Sequence, residues 1–164
     1  MSLKVCVAGA TGWVGRPLSR AISKTEDLEL SGAVSRTYSG RQLRDVISEI
    51  SSTVSITASV SEALKTPTEI LVDFTQPDVV KNNALTAIQK GVHVVIGTSG
   101  LSDQDYLDLH QKALDHKVGV IAAGNFAMSA VLLQRFAREA AKYLPHWEII
   151  DYASATKVDA PSGT

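Results

Sequence analysis

The amino-acid sequence predicts an α/β fold: a Rossmann-like, doubly wound and mainly parallel sheet with helices on both faces. Short apolar runs alternate with longer amphipathic runs along the chain, and this alternation is typical of β-α-β units. A glycine-rich segment stands between the first predicted strand and the first predicted helix, where dinucleotide-binding folds place their phosphate-binding turn. Residues 92–97 are apolar at nearly every position, as expected of a strand covered on both faces.

Each element follows from its own spacing of apolar residues and from its end signals. The helix at 76–91 has Pro77 near its first turn and ends at Gly91, the usual asymmetry of helix ends. The helix at 101–117 has Ser102 as its predicted N-cap, with acidic residues in the first turn, where they oppose the helix dipole. The predicted strands are 3–9, 28–34, 54–57, 69–74, 92–97, 118–124 and 146–154. The predicted helices are 14–24, 41–50, 59–65, 76–91, 101–117 and 127–144.

The composition excludes several classes of protein. With 45% hydrophobic and 20% charged residues, the chain has globular rather than disordered composition. A net charge of −1 offers no basic surface for nucleic acid, and no apolar run has the roughly 18 residues of a membrane span. The N-terminus lacks the apolar core of a signal peptide. Cys6 is the only cysteine and the four histidines are scattered, so we expect a cytoplasmic protein without an internal disulfide or a metal site.

The glycine-rich segment is the first candidate site. Gly9, Gly12 and Gly15 are spaced G-x-x-G-x-x-G, whereas the usual dinucleotide fingerprint is G-x-G-x-x-G. Glycines at these positions would still allow a sharp turn, close approach of backbone amides to a pyrophosphate, and tight packing of the helix on the strand. The pattern predicts dinucleotide binding, with a purely structural turn as the alternative.

The end of the second predicted strand should carry the group that reads the ribose. An acid there favours NAD, whereas an arginine suits the 2′-phosphate of NADP. The candidates here are Ser35 and Arg36, and no acid is present at this strand end. We therefore predict NADPH as the cofactor, with NADH as the alternative. A solvated arginine in a surface loop is the other interpretation of Arg36.

Three further loops follow predicted strands, at 73–77, 97–100 and 123–129. Because the carboxyl ends of parallel strands meet at one edge of a sheet, these loops should lie near the glycine turn. Asn125 could hydrogen-bond a carboxamide, and Phe74 or Phe126 could pack on a flat ring. Taken singly, each loop is also compatible with ordinary turn chemistry.

Five segments occur in a fixed order: VAGATGWVGR, VDFTQP, VVIGTSG, AGNF and KVDAPSGT. Their order and spacing resemble dihydrodipicolinate reductase, the NAD(P)H-dependent oxidoreductase of diaminopimelate and lysine biosynthesis. The resemblance runs from Val5 to Thr164 and implies reduction of a cyclic unsaturated imine or dicarboxylic acid. GATGWVG alone also resembles the start of extended short-chain dehydrogenases, but Tyr152 and Lys157 are one residue too far apart for the Y-x-x-x-K pair of those enzymes.

The resemblance assigns roles to individual residues. It implies Lys157 as the catalytic proton donor and Arg36 as the reader of the adenosine ribose. The predicted cofactor-binding residues are Gly9, Ala10, Thr11, Gly12, Trp13, Val14, Arg36, Phe74, Gly97, Thr98, Ser99, Ala123, Gly124, Asn125 and Phe126. The predicted substrate-binding residues are Ser154, Gly163 and Thr164, which would hold a small dicarboxylate.

One position departs from the family pattern. The family has a histidine pair before the lysine, one catalytic and one in contact with substrate, where this chain has Ala153 and Ser154. The side chain of Ala153 cannot transfer a proton, and Ser154 carries no charge. Three activities are therefore compatible with the sequence: reduction of the family substrate with Lys157 alone, reduction of a different imine acid, or nucleotide binding without turnover.

The predicted domain organisation is a dinucleotide-binding domain over 1–152 and the start of a substrate-binding loop over 153–164. Members of the family continue for roughly 100 residues more. The resemblance thus implies that a C-terminal substrate domain, which builds a tetramer interface, is absent from the sequence. A homo-oligomer is expected only where that domain is present.

Overall fold

The computed structural model describes residues 2–150 and 152. The chain falls into two compact units, Met1–Ala122 and Ala123–Thr164, whereas the predicted domain boundary after residue 152 remains a prediction. The strands are β1 Leu3–Ala8, β2 Leu28–Val34, β3 Ile56–Thr57, β4 Ile70–Asp73, β5 His93–Ile96 and β6 Val120–Ala122. The helices are α1 Gly15–Lys24, α2 Val60–Ala63, α3 Pro77–Gln89, α4 Asp103–His116 and α5 Met128–Ala140.

The six strands form one sheet in the order β3-β2-β1-β4-β5-β6, and every pair of neighbouring strands is parallel. The chain thus winds outward from β1 in one direction and then from β4 in the other. In such sheets ligands bind at the carboxyl ends of the strands, at the point where the winding direction changes. The predicted Rossmann-like fold class is confirmed, and the expected site lies at the ends of β1 and β4.

Helices cover both faces of the sheet. Because alternate residues of each strand point to opposite faces, the sheet contributes to two buried clusters. Val5 and Val7 of β1 belong to a buried cluster that includes Ile22 of α1. Cys6 and Ala8 belong to a second cluster, which includes residues of α3 and α4. Both clusters lie in the first unit and fix the helices that begin at the carboxyl edge of the sheet.

The predicted helix at 41–50 is wrong. The structure has a single 3-10 turn there, Leu43–Asp45. The Ile56 amide donates to the Arg41 carbonyl at 2.8 Å, so pairing with β3 occupies an acceptor that a helix over 41–50 would offer to the Asp45 amide. Leu43 and Ile47, whose i, i+4 spacing is typical of a helix, are nevertheless fully buried. They are core residues without forming a helix.

The predicted strand at 146–154 does not form in residues 146–150 or at Tyr152. Trp147 and Ile149 are 65% and 73% exposed, so this apolar run is not packed as a strand of a sheet would be. A strand needs the hydrogen bonds of a neighbouring strand to persist. Asp151 and residues 153–154 lie outside the described residues.

Helix α4 begins at the predicted cap. The Ser102 side chain accepts from the Asp105 amide at 3.2 Å, and the Asp105 carboxylate accepts from the Ser102 amide at 2.9 Å, which forms a capping box. Lys81 of α3 pairs with Asp105 at 2.7 Å and with Asp108 at 2.6 Å, so one ammonium joins the two helices. Among the described residues, no helix is long and apolar enough to cross a membrane.

We expect Lys81→Met to destabilise the protein at neutral pH but not in acid. The Lys81 ammonium, followed by the Ser102 hydrogen bonds, lowers the pKa of Asp105 from 3.8 to about 2. A lowered carboxyl pKa stabilises the fold above the unfolded value and loses its effect as the pH falls through the folded value. The difference in melting temperature between wild type and variant should therefore shrink between about pH 5 and about pH 2. Lys112→Met, which removes one exposed pair at 3.8 Å, is the matched control and should show a weaker pH dependence.

Candidate functional site

The glycine turn between β1 and α1 leaves no room for side chains at two positions. Gly9 has φ +79°, and a Cβ atom there would overlap the Phe74 carbonyl oxygen. A Cβ atom on Gly15 would overlap the Gly9 carbonyl oxygen. Gly12 is less crowded, because a Cβ atom there would lie 3.2 Å from the same oxygen. The middle glycine stands one residue later than in the usual fingerprint, but the segment still makes a sharp turn with close strand-to-helix packing, as the sequence predicted.

Hydrogen bonds fix this turn to the end of β2. The amides of Gly9 and Ala10 both donate to the Val34 carbonyl at 3.1 Å. The hydroxyls of Thr11 and Ser35 lie 2.7 Å apart, so Ser35 contacts the turn directly. Arg16 Nε donates to the Thr11 carbonyl at 2.9 Å, which makes Arg16 a structural support of the turn.

A cleft of about 420 Å³ opens at the point where the winding direction changes. Its lining comes from the glycine turn, the end of β2, the start of α2, the loop after β4 and the adjoining face of α3. Among the described residues that line it, Arg36 is the one charged side chain and none is a carboxylate. Arg36 Nη2 donates to Gln76 Oε1 at 3.4 Å, so the guanidinium lies between the loops that follow β2 and β4. The cleft therefore favours an anionic ligand.

The loops after β4 and β5 are held together by the buried carboxylate of Asp73. Its Oδ1 accepts from the Thr75 amide at 2.9 Å, the Thr75 hydroxyl at 2.5 Å and the Thr98 hydroxyl at 2.9 Å. Its Oδ2 accepts from Asn83 Nδ2 at 2.8 Å. The Gly97 amide donates to the Asp73 carbonyl at 2.9 Å. Sequence reasoning missed Asp73 and Asn83, although an acid at the end of an apolar strand was a usable signal for the first.

Cys6 lies next to this network and is chemically inert. Burial, followed by the negative charge of Asp73, raises the pKa of the Cys6 thiol to about 12. A thiol in this state is not a nucleophile at neutral pH. Cys6 is fully buried, as small thiols often are.

The structure brings part of the predicted cofactor set together. Five predicted residues line the cleft: Gly9, Thr11, Gly12, Arg36 and Phe74. Ala10 is buried, and its amide is already engaged with Val34. Trp13 is 95% exposed and Val14 is exposed at the start of α1. Gly97, Thr98 and Ser99 form the neighbouring loop, where the Phe74 ring packs so closely on Gly97 that a Cβ atom would overlap it.

The remaining predicted residues belong to the second unit or lie outside the described residues. Residues 123–126, which include Ala123, Gly124 and Phe126, belong to the second unit. Within that unit Asn125 Oδ1 accepts from the Ala127 amide at 2.8 Å, a local turn that leads into α5. The predicted catalytic and substrate-binding residues, Lys157, Ser154, Gly163 and Thr164, lie outside the described residues. Among the described residues no cluster of side chains suits a metal ion.

The fold and the cleft define a dinucleotide-binding domain of the Rossmann type. Residues 3–126 match the family model described as dihydrodipicolinate reductase, N-terminus. The chain belongs to this family, and the resemblance stated above is confirmed.

Relatives and a solved structure extend the match to nearly the whole chain. The chain is 43% identical to a 4-hydroxy-tetrahydrodipicolinate reductase from Syntrophomonas wolfei, over 98% of this chain and 61% of the relative. It is 41% identical to one from Desulfitobacterium hafniense, over 99% of this chain and 61% of the relative. A dipicolinate-bound dihydrodipicolinate reductase from Paenisporosarcina sp. TG-14 superposes with a TM-score of 0.75 at 30% identity, over 99% of this chain and 62% of that one. The chain thus spans about 61% of the length of the curated relatives. The family and the nucleotide-binding fold together support a nicotinamide cofactor.

Proposed function

We propose that this chain is the nucleotide-binding part of an NADPH-dependent reductase of 4-hydroxy-tetrahydrodipicolinate, a cyclic dicarboxylic acid of the lysine and diaminopimelate pathway. The observation that carries the proposal is the cleft at the carboxyl ends of β1 and β4, with a close-packed glycine turn and Arg36 as its charged lining residue. Relatives that are 41–43% identical bear the name of this activity. A homo-oligomer and a cytoplasmic location remain predictions.

The residues present suit a dinucleotide. The amides of Gly9, Ala10 and Gly12 are engaged with carbonyl groups of the protein. We therefore expect the amides of Trp13 and Val14, which immediately precede α1, to donate to the pyrophosphate at the positive end of the helix. When bound, the cofactor supplies the hydride. The protein contributes binding, orientation and charge.

The proposed substrate site consists of Ser154 and of residues in the KVDAPSGT segment. Lys157 would donate the proton and stabilise negative charge that develops on the substrate, since a lysine ammonium can do both. Gly163 and Thr164 would hold a substrate carboxylate through backbone and hydroxyl donors, and Ser154 would contact the substrate. Phe74, together with residues 97–99 and 123–126, would hold the nicotinamide half of the cofactor.

Steady-state NADPH oxidation tests the reductase activity. Turnover with 4-hydroxy-tetrahydrodipicolinate is the expected result. Because Ala153 and Ser154 replace the family histidines, the same assay should include other cyclic imine acids. Faster turnover with one of them would assign a different substrate. Normal NADPH binding without oxidation of any of them would instead support a nucleotide-binding relative without turnover.

Arg36→Gln should weaken NADPH binding by about 10–100-fold and NADH binding by less than about threefold. A hydrogen bond between charged groups contributes about 1.5–3 kcal/mol, and about 1.4 kcal/mol corresponds to a tenfold change in affinity. Since NADH lacks the 2′-phosphate, its affinity should depend little on the guanidinium. Fluorescence titration with each cofactor measures the two dissociation constants.

Arg41→Gln is the matched control for this prediction. Arg41 lies over the Tyr38 ring at 5.8 Å and is not among the residues that line the cleft. Both cofactors should bind this variant as they bind wild type. Tighter binding of NADH than of NADPH by wild type, or equal weakening of both in Arg36→Gln, would refute the proposed preference.

A further inference from the structure

The buried Asp73 carboxylate joins elements that are far apart in the chain. The Thr98 hydroxyl comes from the loop after β5 and the Asn83 amide comes from the middle of α3, and both donate to Asp73. The Thr75 amide also reaches the Thr98 hydroxyl at 2.8 Å. Asp73 is 0% exposed, so its carboxylate lies beneath the surface of the cleft rather than in it.

The donors of this network require a side chain that accepts hydrogen bonds and donates none. Three donors converge on Oδ1 and a fourth on Oδ2. An ionised carboxylate has two oxygens and several lone pairs, which match this demand. An asparagine would turn an N–H₂ group toward one of these donors and leave that donor unsatisfied. Among the ion pairs of the described residues none includes Asp73, so hydrogen bonds alone compensate its burial.

The two loops that the network joins, at 73–77 and 97–100, lie where the proposed cofactor would place its reactive half. Arg36 follows β2 on one side of β1, whereas the loops at 73–77 and 97–100 follow β4 and β5 on the other side. A dinucleotide that crosses the end of β1 with its adenosine half beside Arg36 places its reactive half over these loops. Phe74 lines the cleft and its ring packs on Gly97, so any shift between the two loops moves this wall of the cleft.

We propose that Asp73 is a positioning residue, which locks the loops after β4 and β5 into one surface for the nicotinamide half of the cofactor. This inference rests on the proposed function, because it assumes a nicotinamide dinucleotide in the cleft. Asp73 acts through Thr75 and Thr98, and it contacts neither cofactor nor substrate.

The test replaces Thr98 by valine, which keeps the shape of the side chain and removes the hydroxyl from the network. We measure the binding of NADPH and of adenosine 2′,5′-bisphosphate, which is the adenosine half of the cofactor. Loss of one hydrogen bond corresponds to about a 3–10-fold change in affinity. Thr98→Val should weaken NADPH by that factor, leave the bisphosphate unchanged, and alter the fluorescence of the bound nicotinamide. Thr98→Ser, which restores the hydroxyl, should return NADPH binding and the fluorescence to their wild-type values.

Thr68→Val is the matched control. It removes the hydroxyl contact of Thr68 with Ser31, at 2.9 Å, at the opposite edge of the sheet, and it should change the binding of neither ligand. Asp73→Asn should weaken NADPH more than Thr98→Val does, provided that circular dichroism shows a folded chain. Unchanged NADPH binding in Thr98→Val, or equal weakening of NADPH and the bisphosphate, overturns the positioning role. If wild type binds neither ligand, the proposed function itself fails, and the inference fails with it.

Discussion

Replacing Gly9 by alanine should lower the free energy of unfolding by about 2–5 kcal/mol, since two costs add. A residue with a side chain at φ +79° is disfavoured by about 1–2 kcal/mol. The new methyl group would also overlap the Phe74 carbonyl oxygen, and overpacking of this kind costs about 1–3 kcal/mol. Because relief of the overlap must move the loop after β4, NADPH affinity should fall as well. Urea denaturation and fluorescence titration measure the two effects.

Gly40→Ala separates the two costs. Gly40 has φ +85°, close to that of Gly9, but a Cβ atom there meets nothing within 4 Å. This variant should lose only the backbone-strain cost of about 1–2 kcal/mol, and it should bind NADPH normally. Equal losses of stability in the two variants would show that the close approach of Gly9 to Phe74 contributes nothing.

Lys157→Met should lower kcat for NADPH oxidation by about 10²–10⁴-fold, the usual effect of removing one general acid. Methionine keeps much of the length of the side chain and removes its charge and its proton. The absence of the family histidine pair leaves Lys157 as the proposed proton donor, so no histidine at 153 or 154 can replace it. NADPH affinity should stay within about threefold of wild type, because the lysine is proposed to act on the substrate.

Lys65→Met provides the control for charge removal, since Lys65 is an exposed lysine and does not line the cleft. Its kcat should equal that of wild type. If Lys157→Met retains wild-type kcat, the proton comes from elsewhere and the catalytic assignment is wrong. If the KM for the dicarboxylate rises while kcat is unchanged, Lys157 binds the substrate without transferring a proton.

Local patterns predicted most of the fold. The strands at β1, β2, β4, β5 and β6 follow from short apolar runs, and the start of α4 follows from Ser102. Local patterns failed where distant partners decide the backbone. Leu43 and Ile47 have helical spacing, but the Arg41 carbonyl accepts from the Ile56 amide instead of from the Asp45 amide, as it would in a helix. The run from 146 has apolar residues typical of a strand, yet no strand forms over 146–150.

The sequence by itself determined the parallel α/β sheet, the glycine turn after β1 and the candidate cofactor residues Gly9, Thr11, Gly12, Arg36 and Phe74. Spacing and turn chemistry carry this information, since both act over a few neighbouring residues. The tertiary structure alone decided that Gly9 abuts Phe74, that Arg36 reaches Gln76, and that Asp73 collects donors from Thr98 and Asn83. These contacts join residues 10 to 65 positions apart, and folding, rather than any local pattern, brings them together.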